Sequence, residues 1–158
     1  MKAVLLSIQP QWCEKIASGE KTVEVRKNRP QIETPFKCYI YMTATKERCR
    51  FWEYITAYQN SKGDILDGSQ KVIGEFVCNK VEEIKAANAI QAYYNNREET
   101  CLTDSELRLY LGESTGYGWH ISELKIYDRP KELEEFMSCN GEPIKRPFQS
   151  WGYVCLSK

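Results

Sequence analysis

The segment Gly19-Glu20-Lys21-Thr22-Val23-Glu24-Val25-Arg26-Lys27 carries the side chains best suited to chemistry. From Thr22 to Lys27 the pattern has period two, so Glu24 and Arg26 share one strand face with Lys21 at its mouth, while Val23 and Val25 point the other way. Two cations and a carboxylate therefore converge within a few residues. Arginine offers a planar fork for a phosphate or a base edge, lysine a point charge or an amine, and glutamate an acceptor or a general base. Against apolar walls Lys21 would lose its charge readily and become a base or nucleophile, but Glu24 opposes this by stabilising the ammonium. The pairing thus favours binding over lysine nucleophilic catalysis. In an enzyme, Glu24 would be the general base on water, with Lys21 or Arg26 stabilising an oxyanion or a phosphate. The same spacing also fits a solvated face carrying a Glu24–Arg26 or Lys21–Glu24 ion pair.

Several aromatic and short polar residues could complete such a site. Trp12 and Trp119 are candidate walls on which an unpaired base would stack, whereas Trp151 reads as core. His120 is the sole histidine; with Trp119 and Ile121 facing inward it faces the other side, toward a ligand or a backbone carbonyl. Ser7, Gln9, Gln149 and Ser150 are short polar groups able to read a base edge or to cap backbone. Lys46, Arg48 and Arg50, interleaved with Phe51 and Trp52, form a second basic-aromatic cluster that would extend a nucleic-acid surface or make a dimer contact. The sequence contains no phosphate-binding glycine loop, dinucleotide fingerprint, His-Glu-x-x-His or Gly-x-Ser-x-Gly motif.

Ordered elements must hold these residues. Ala3 to Ile8 is an apolar run that predicts a strand buried on both faces. Pro10 suits the first turn of a helix and Gly19 the residue past its end, with Trp12, Cys13, Ile16 and Ala17 on one face. Strands are predicted over 22–27 and 36–42, and over 72–81 with Gly74 as a bulge. Phe51, Tyr54, Ile55 and Tyr58 fall at helical spacing before the turn signals Gly63-Asp64 and Asp67-Gly68, predicting an inserted helix and loop at about 46–70. Thr103-Asp104-Ser105-Glu106 opens a helix that Gly112 ends. A strand over 117–127, a short helix over 130–136 and a closing strand over 151–156 complete an α+β chain of about six strands, read as a small mixed barrel.

Composition narrows the classes. The chain has 158 residues, 22 Lys+Arg against 22 Asp+Glu, and seven Cys. Zero net charge removes the broad field on which charge-driven coating of a duplex relies, so any polyanion contact must be local. No apolar run approaches the roughly 18 residues of a membrane span, and the apolar run at the start is too short for a signal peptide, which points to the cytoplasm. The cysteines are odd in number and widely spaced, unlike a zinc site or a disulfide scaffold, and read as reduced, partly buried thiols. No metal or cofactor is expected.

Gly-x-Lys-x-x-Glu-x-Arg after an apolar strand and short helix resembles the signature of the ASCH domain family, in the PUA-like superfamily of small β-barrels. Leu6-Ser7-Ile8-Gln9-Pro10, Lys71-Val72-Ile73-Gly74-Glu75-Phe76, Tyr117-Gly118-Trp119-His120-Ile121-Ser122, Leu124-Lys125-Ile126-Tyr127 and Arg146-Pro147-Phe148-Gln149-Ser150-Trp151 are similar to blocks in phage- and Firmicute-type ASCH proteins. The resemblance covers roughly 1–45 and 71–158, as one domain with an insertion. It implies a barrel with a cleft that binds RNA or a nucleotide-sized ligand. A branch of small bacterial members removes acetyl from N4-acetylcytidine; there the motif reads Gly-x-Lys-x-x-Thr-x-Arg, and the Lys, the Thr and a later Glu are catalytic. This chain keeps Lys21 but has Glu24 at the Thr position, and Glu98, Glu99 and Glu106 are all candidates for the later Glu.

The expected function is therefore binding of single-stranded RNA or a modified nucleoside in a cleft lined by Ser7, Gln9, Trp12, Lys21, Glu24, Arg26, Trp119, His120, Gln149 and Ser150. The first alternative is a metal-independent hydrolase, an amidohydrolase or ribonuclease, using Lys21 and Glu24. The second is a protein-interaction module in a regulatory complex, with the Lys46 to Trp52 cluster as contact surface; pairing with a second copy as a homodimer is a separate expectation.

Overall fold

Only Ser7 interrupts the apolar run from Ala3 to Ile8, so a strand there has to be covered on both faces. In a computed structural model of the chain, which describes residues 1–45, 56–84 and 98–156, this run lies in β1 (Lys2–Ile8). Its alternate residues Val4, Leu6 and Ile8 pack with Cys13, Ile16 and Trp119, while Ala3 and Leu5 pack on the opposite face with Tyr39, Tyr127 and Val154. After β1 come α1 (Pro10–Ala17), β2 (Val23–Arg26), β3 (Phe36–Met42), β4 (Ala57–Gln59), β5 (Ile65–Asp67) and β6 (Lys71–Ile84). Helix α2 (Asp104–Leu111), strand β7 (Gly116–Lys131), a single 3-10 turn (Leu133–Glu135) and β8 (Trp151–Cys155) follow.

Six strands form one mixed sheet in the order β2-β7-β6-β3-β1-β8, in which β1 and β3 are parallel and the other neighbours antiparallel. The mixed α+β class and the six strands match the expectation. The sheet is not closed into a barrel, however: β2 and β8 are its two ends, and among the described residues no strand pairing joins them. The curl that brings the ends together comes from β6 and β7, whose pairing shifts register at three points, including between Val72 and Gly74. Each shift bends and twists the pair. Gly74 is required there, because a Cβ on it would stand 2.6 Å from the Lys125 carbonyl oxygen.

Two local expectations are corrected. Residues 57–67 form the β4–β5 hairpin, not part of a helix and loop; Tyr58 is buried on the main core, and Asn60 and Asp64 tie the turn. The helical reading of Phe51 to Ile55, and the basic-aromatic cluster from Lys46 to Trp52, lie outside the described residues. The short helix expected over 130–136 is only the turn Leu133–Glu135, because Pro130 and Lys131 still belong to β7. No helix among the described residues is long and apolar enough to cross a membrane.

Candidate functional site

Helix α1 places the first cation. Its last turn is closed by the Ser18 N–H donating to the Glu14 carbonyl, and Gly19 then takes φ +84°, the left-handed region that glycine enters without penalty. The chain doubles back, and the Lys21 N–H donates to the Lys15 carbonyl. The Lys21 side chain runs inward to 2% exposure. Its ammonium donates to the Thr100 carbonyl, lies 3.6 Å from Glu24 Oε2 and sits 5.1 Å from the centre of the Trp12 ring. Burial pulls the Lys21 pKa below its usual value, against the pull of the Glu24 carboxylate.

Strand β2 places the rest. It pairs with β7, with Glu24 opposite Trp119 and Arg26 opposite Tyr117. Val25 packs with Ile84, Leu107 and Leu111, which covers one face of the strand with α2. Glu24 and Arg26 point to the other face and are also buried, at 6% and 8% exposure. Arg26 Nη2 donates to the Ser7 carbonyl at 2.8 Å and lies 3.2 Å from Glu24 Oε1; Nη1 donates to the carbonyl and Oγ of Ser150 at 3.2 Å. The guanidinium thus spans from one end of the sheet to β1 and the residue preceding β8. A side chain bridges the ends that the backbone leaves unpaired. Ser7 Oγ donates to the Phe148 carbonyl, holding the same segment.

Above this charged floor opens a cleft of about 770 Å³. Ser7, Gln9, Trp12, Lys21, Glu24, Arg26, Gln149 and Ser150, all singled out from the sequence, line it together. Both cations are largely spent on protein partners. Among the described residues, Glu24 Oε2 and Arg26 Nε are buried without a hydrogen bond. The free capacity at the floor includes an acceptor, so the arrangement is less a phosphate cradle than its residue types suggest.

Trp119 and His120 fall elsewhere. Trp119 is fully buried, edge-on to Phe36 at 5.7 Å and to Trp151 at 5.8 Å, so it packs the core and does not wall the cleft. His120 lies outside the cleft lining, and its Nε2 is 3.2 Å from Glu82 Oε2 on neighbouring β6. Trp151, partly buried, packs against the core, in line with the expectation.

Of the wall supplied by α2 and the residues before it, sequence reasoning named only Glu106. Glu106, Leu109 and Tyr110 of α2, with Leu102 just before it, line the cleft, and Leu109 is 89% exposed. Burial raises the Tyr110 pKa, offset by the nearby Arg26 charge, and its ring receives Lys27 at 5.1 Å. The spacing of Glu106, Leu109 and Tyr110, three and four apart on a helix whose Leu107 and Leu111 face the core, was the available signal. Of the three candidates for a later carboxylate, Glu106 is the one on the cleft; Glu99 offers its backbone carbonyl to the Thr22 N–H. Among the described residues no His, Cys, Asp and Glu group is arranged to hold a metal ion.

Known proteins resemble the chain in fold. A tyrosine-to-phenylalanine variant of the ASCH protein ZmASCH from Zymomonas mobilis superposes with a TM-score of 0.65 at 19% identity, over 98% of this chain and 91% of that one. A serine-to-alanine variant of the same protein gives 0.66 at 18% identity, over 97% and 88%. The unaltered ASCH protein gives 0.64 at 19%, over 97% and 87%. At such identities the likeness speaks for the fold alone. A search of curated proteins gives no match. The family profile described as ASCH domain matches residues 6–134, which take in the end of β1, Lys21 with β2, α2 and β7. With the greater part of the chain so matched, it belongs to the ASCH domain family.

Proposed function

We propose that the chain binds single-stranded RNA or a modified nucleoside by seating a base in this cleft. The observation that carries the reading is Glu24 Oε2, buried at the cleft floor with Lys21 Nζ at 3.6 Å but, among the described residues, no hydrogen bond. A buried acceptor with an ionic neighbour but no hydrogen bond of its own is under-satisfied, and an N–H from a base edge would supply the missing bond, as carboxylates do with amino groups of bases. Trp12, Leu109 and Tyr110 offer apolar and aromatic surface to a flat ring, and Gln9, Gln149 and Ser150 offer short polar groups at its edge. Lys21 and Arg26 are already held by Thr100, Ser7, Ser150 and Glu24, so phosphate contributes little to the grip. The reading takes the chain as one cytoplasmic domain with an insertion at 46–70, acting without cofactor, alone or as a homodimer.

The test is binding of a labelled single-stranded RNA, followed by fluorescence anisotropy across a salt series. Binding that changes little with salt and weakens about tenfold or more in Tyr110→Ala or Glu24→Gln is expected, since a stacked base is worth about 1–3 kcal/mol. Unchanged affinity in both variants would move the site elsewhere.

A second reading, a hydrolase using Lys21 and Glu24, is favoured by the burial that lowers the Lys21 pKa and by Glu106 on the same cleft. Incubation with N4-acetylcytidine at high protein concentration tests its amidohydrolase form, and absence of cytidine in the chromatogram eliminates it.

A further inference from the structure

Two thiols outside the cleft lie together at the surface. Cys139 is in a turn fastened by the Ser138 N–H to the Glu142 carbonyl and the Gly141 N–H to the Ser138 carbonyl. Cys155 ends β8. Met137 bridges both Pro143 and Cys155, and the Cys155 N–H donates to its carbonyl at 3.0 Å, which holds the turn against the strand. The two Sγ atoms are 2.6 Å apart. Cys139 is exposed and Cys155 partly so, as is the distant Cys101, whereas Cys13, Cys38 and Cys78 are buried, with thiols pushed up by burial. Buried protonated thiols are inert, and accessible ones react. The contact with Cys155 raises the Cys139 pKa, while Lys2, opposite Cys155 in the β1–β8 register, and the amino terminus pull it back down.

The chain between the two cysteines serves the cleft. It carries Phe148, whose carbonyl accepts from Ser7 Oγ, Gln149 on the cleft wall, and Ser150, whose carbonyl and hydroxyl accept from Arg26. Anything that restrains this segment restrains part of the cleft.

We propose that Cys139 and Cys155 are an oxidation site, which a peroxide converts to a disulfide that closes the 139–155 segment into a covalent ring. One thiolate attacks the peroxide O–O bond and becomes a sulfenic acid as the other oxygen leaves as hydroxide. The second thiolate attacks that sulfur, forming the S–S bond and expelling a second hydroxide. Two thiols are oxidised, one peroxide is reduced to two waters, and the two thiol protons end on those waters. The sulfurs need only a small approach to reach the bond length of about 2.05 Å. Closing a ring of this size lowers the unfolding equilibrium constant by about a hundredfold.

The experiment treats the full chain with graded hydrogen peroxide. Expected are a mass lower by about 2 Da and loss of two of the seven thiols. Non-reducing peptide mapping should then join the Cys139 and Cys155 peptides. Oxidised protein should melt higher, and amide exchange over 146–150 should slow relative to the reduced form. Cys139→Ser, at an exposed position, should fold normally and show neither the 2 Da loss nor the exchange change. The idea is overturned if peroxide yields only oxygen adducts or chain-to-chain dimers, or if the 2 Da loss persists in Cys139→Ser. Exchange over 146–150 that is identical in both redox forms would overturn the link to the cleft.

Discussion

Replacing Arg26 by alanine removes a side chain that joins the two ends of an open sheet. In the folded chain its guanidinium donates to the Ser7 carbonyl, to the carbonyl and hydroxyl of Ser150, and pairs with Glu24 at 3.2 Å. Arg26 and Glu24 are both nearly inaccessible, so solvent cannot take over these roles. Breaking a buried pair by removing one partner costs about 3–5 kcal/mol. The Ser150 carbonyl keeps the Ser7 N–H at 2.9 Å and Glu24 keeps Lys21 at 3.6 Å, which holds the total within that range. For a domain of this size the loss corresponds to a fall in Tm of about 6–20 °C. Urea titration and thermal melting of wild type, Arg26→Ala and Arg26→Lys would measure it. Lysine keeps the charge but presents one ammonium where the guanidinium reaches several acceptors, so Arg26→Lys should fall between the other two. Adding Glu24→Gln to Arg26→Ala should cost less than the sum of the single changes, because the stranded carboxylate is neutralised. A loss below about 1 kcal/mol in Arg26→Ala, or an Arg26→Lys protein as stable as wild type, would refute the argument that this side chain fastens the sheet ends.

Two further outcomes follow from buried polar groups. The Lys21 ammonium should titrate below its ordinary 10.5 in an NMR experiment on the side chain, because burial disfavours its charge. The unfolded chain then binds more protons at pH values between the folded and unfolded pKa, so the Lys21 contribution to stability rises with pH in that window; a stability difference between wild type and Lys21→Met that slopes the other way would contradict this. Tyr58 has a buried hydroxyl with no hydrogen bond among the described residues, and its pKa is pushed up to about 12 by burial. Tyr58→Phe should therefore be neutral or stabilising by about 1 kcal/mol in urea unfolding, and a comparable loss would mean the hydroxyl has a partner.

How much could be read beforehand divides along physical lines. The period-two alternation of Val23 to Arg26, Pro10 opening α1, the Thr103 side chain capping α2 and the glycine bulge at Gly74 are local features, and each was legible. They depend on backbone sterics and on hydrogen bonds within a few residues. Grouping Lys21, Glu24 and Arg26 with Trp12, Ser7 and Ser150 was also possible, through the motif and its family resemblance. Trp119 shows where that stops: alternation assigned it to one face of its strand, but whether the face met a ligand or Phe36 and Trp151 depended on elements far away in the chain.

The sequence by itself determined the strand and helix segments around Lys21, the family, and the absence of net charge that rules out a broad electrostatic grip. Only the tertiary structure decided what the charges do. Arg26 meets Ser150 across 124 residues and Lys21 meets the Thr100 carbonyl across 79. Contacts of that span are set by sheet order, register shifts and the burial of the whole chain, which local residue types do not encode. They convert two cations that read as phosphate ligands into the structural floor of a cleft, and leave Glu24 Oε2 with Lys21 as its ionic neighbour but, among the described residues, without a hydrogen bond.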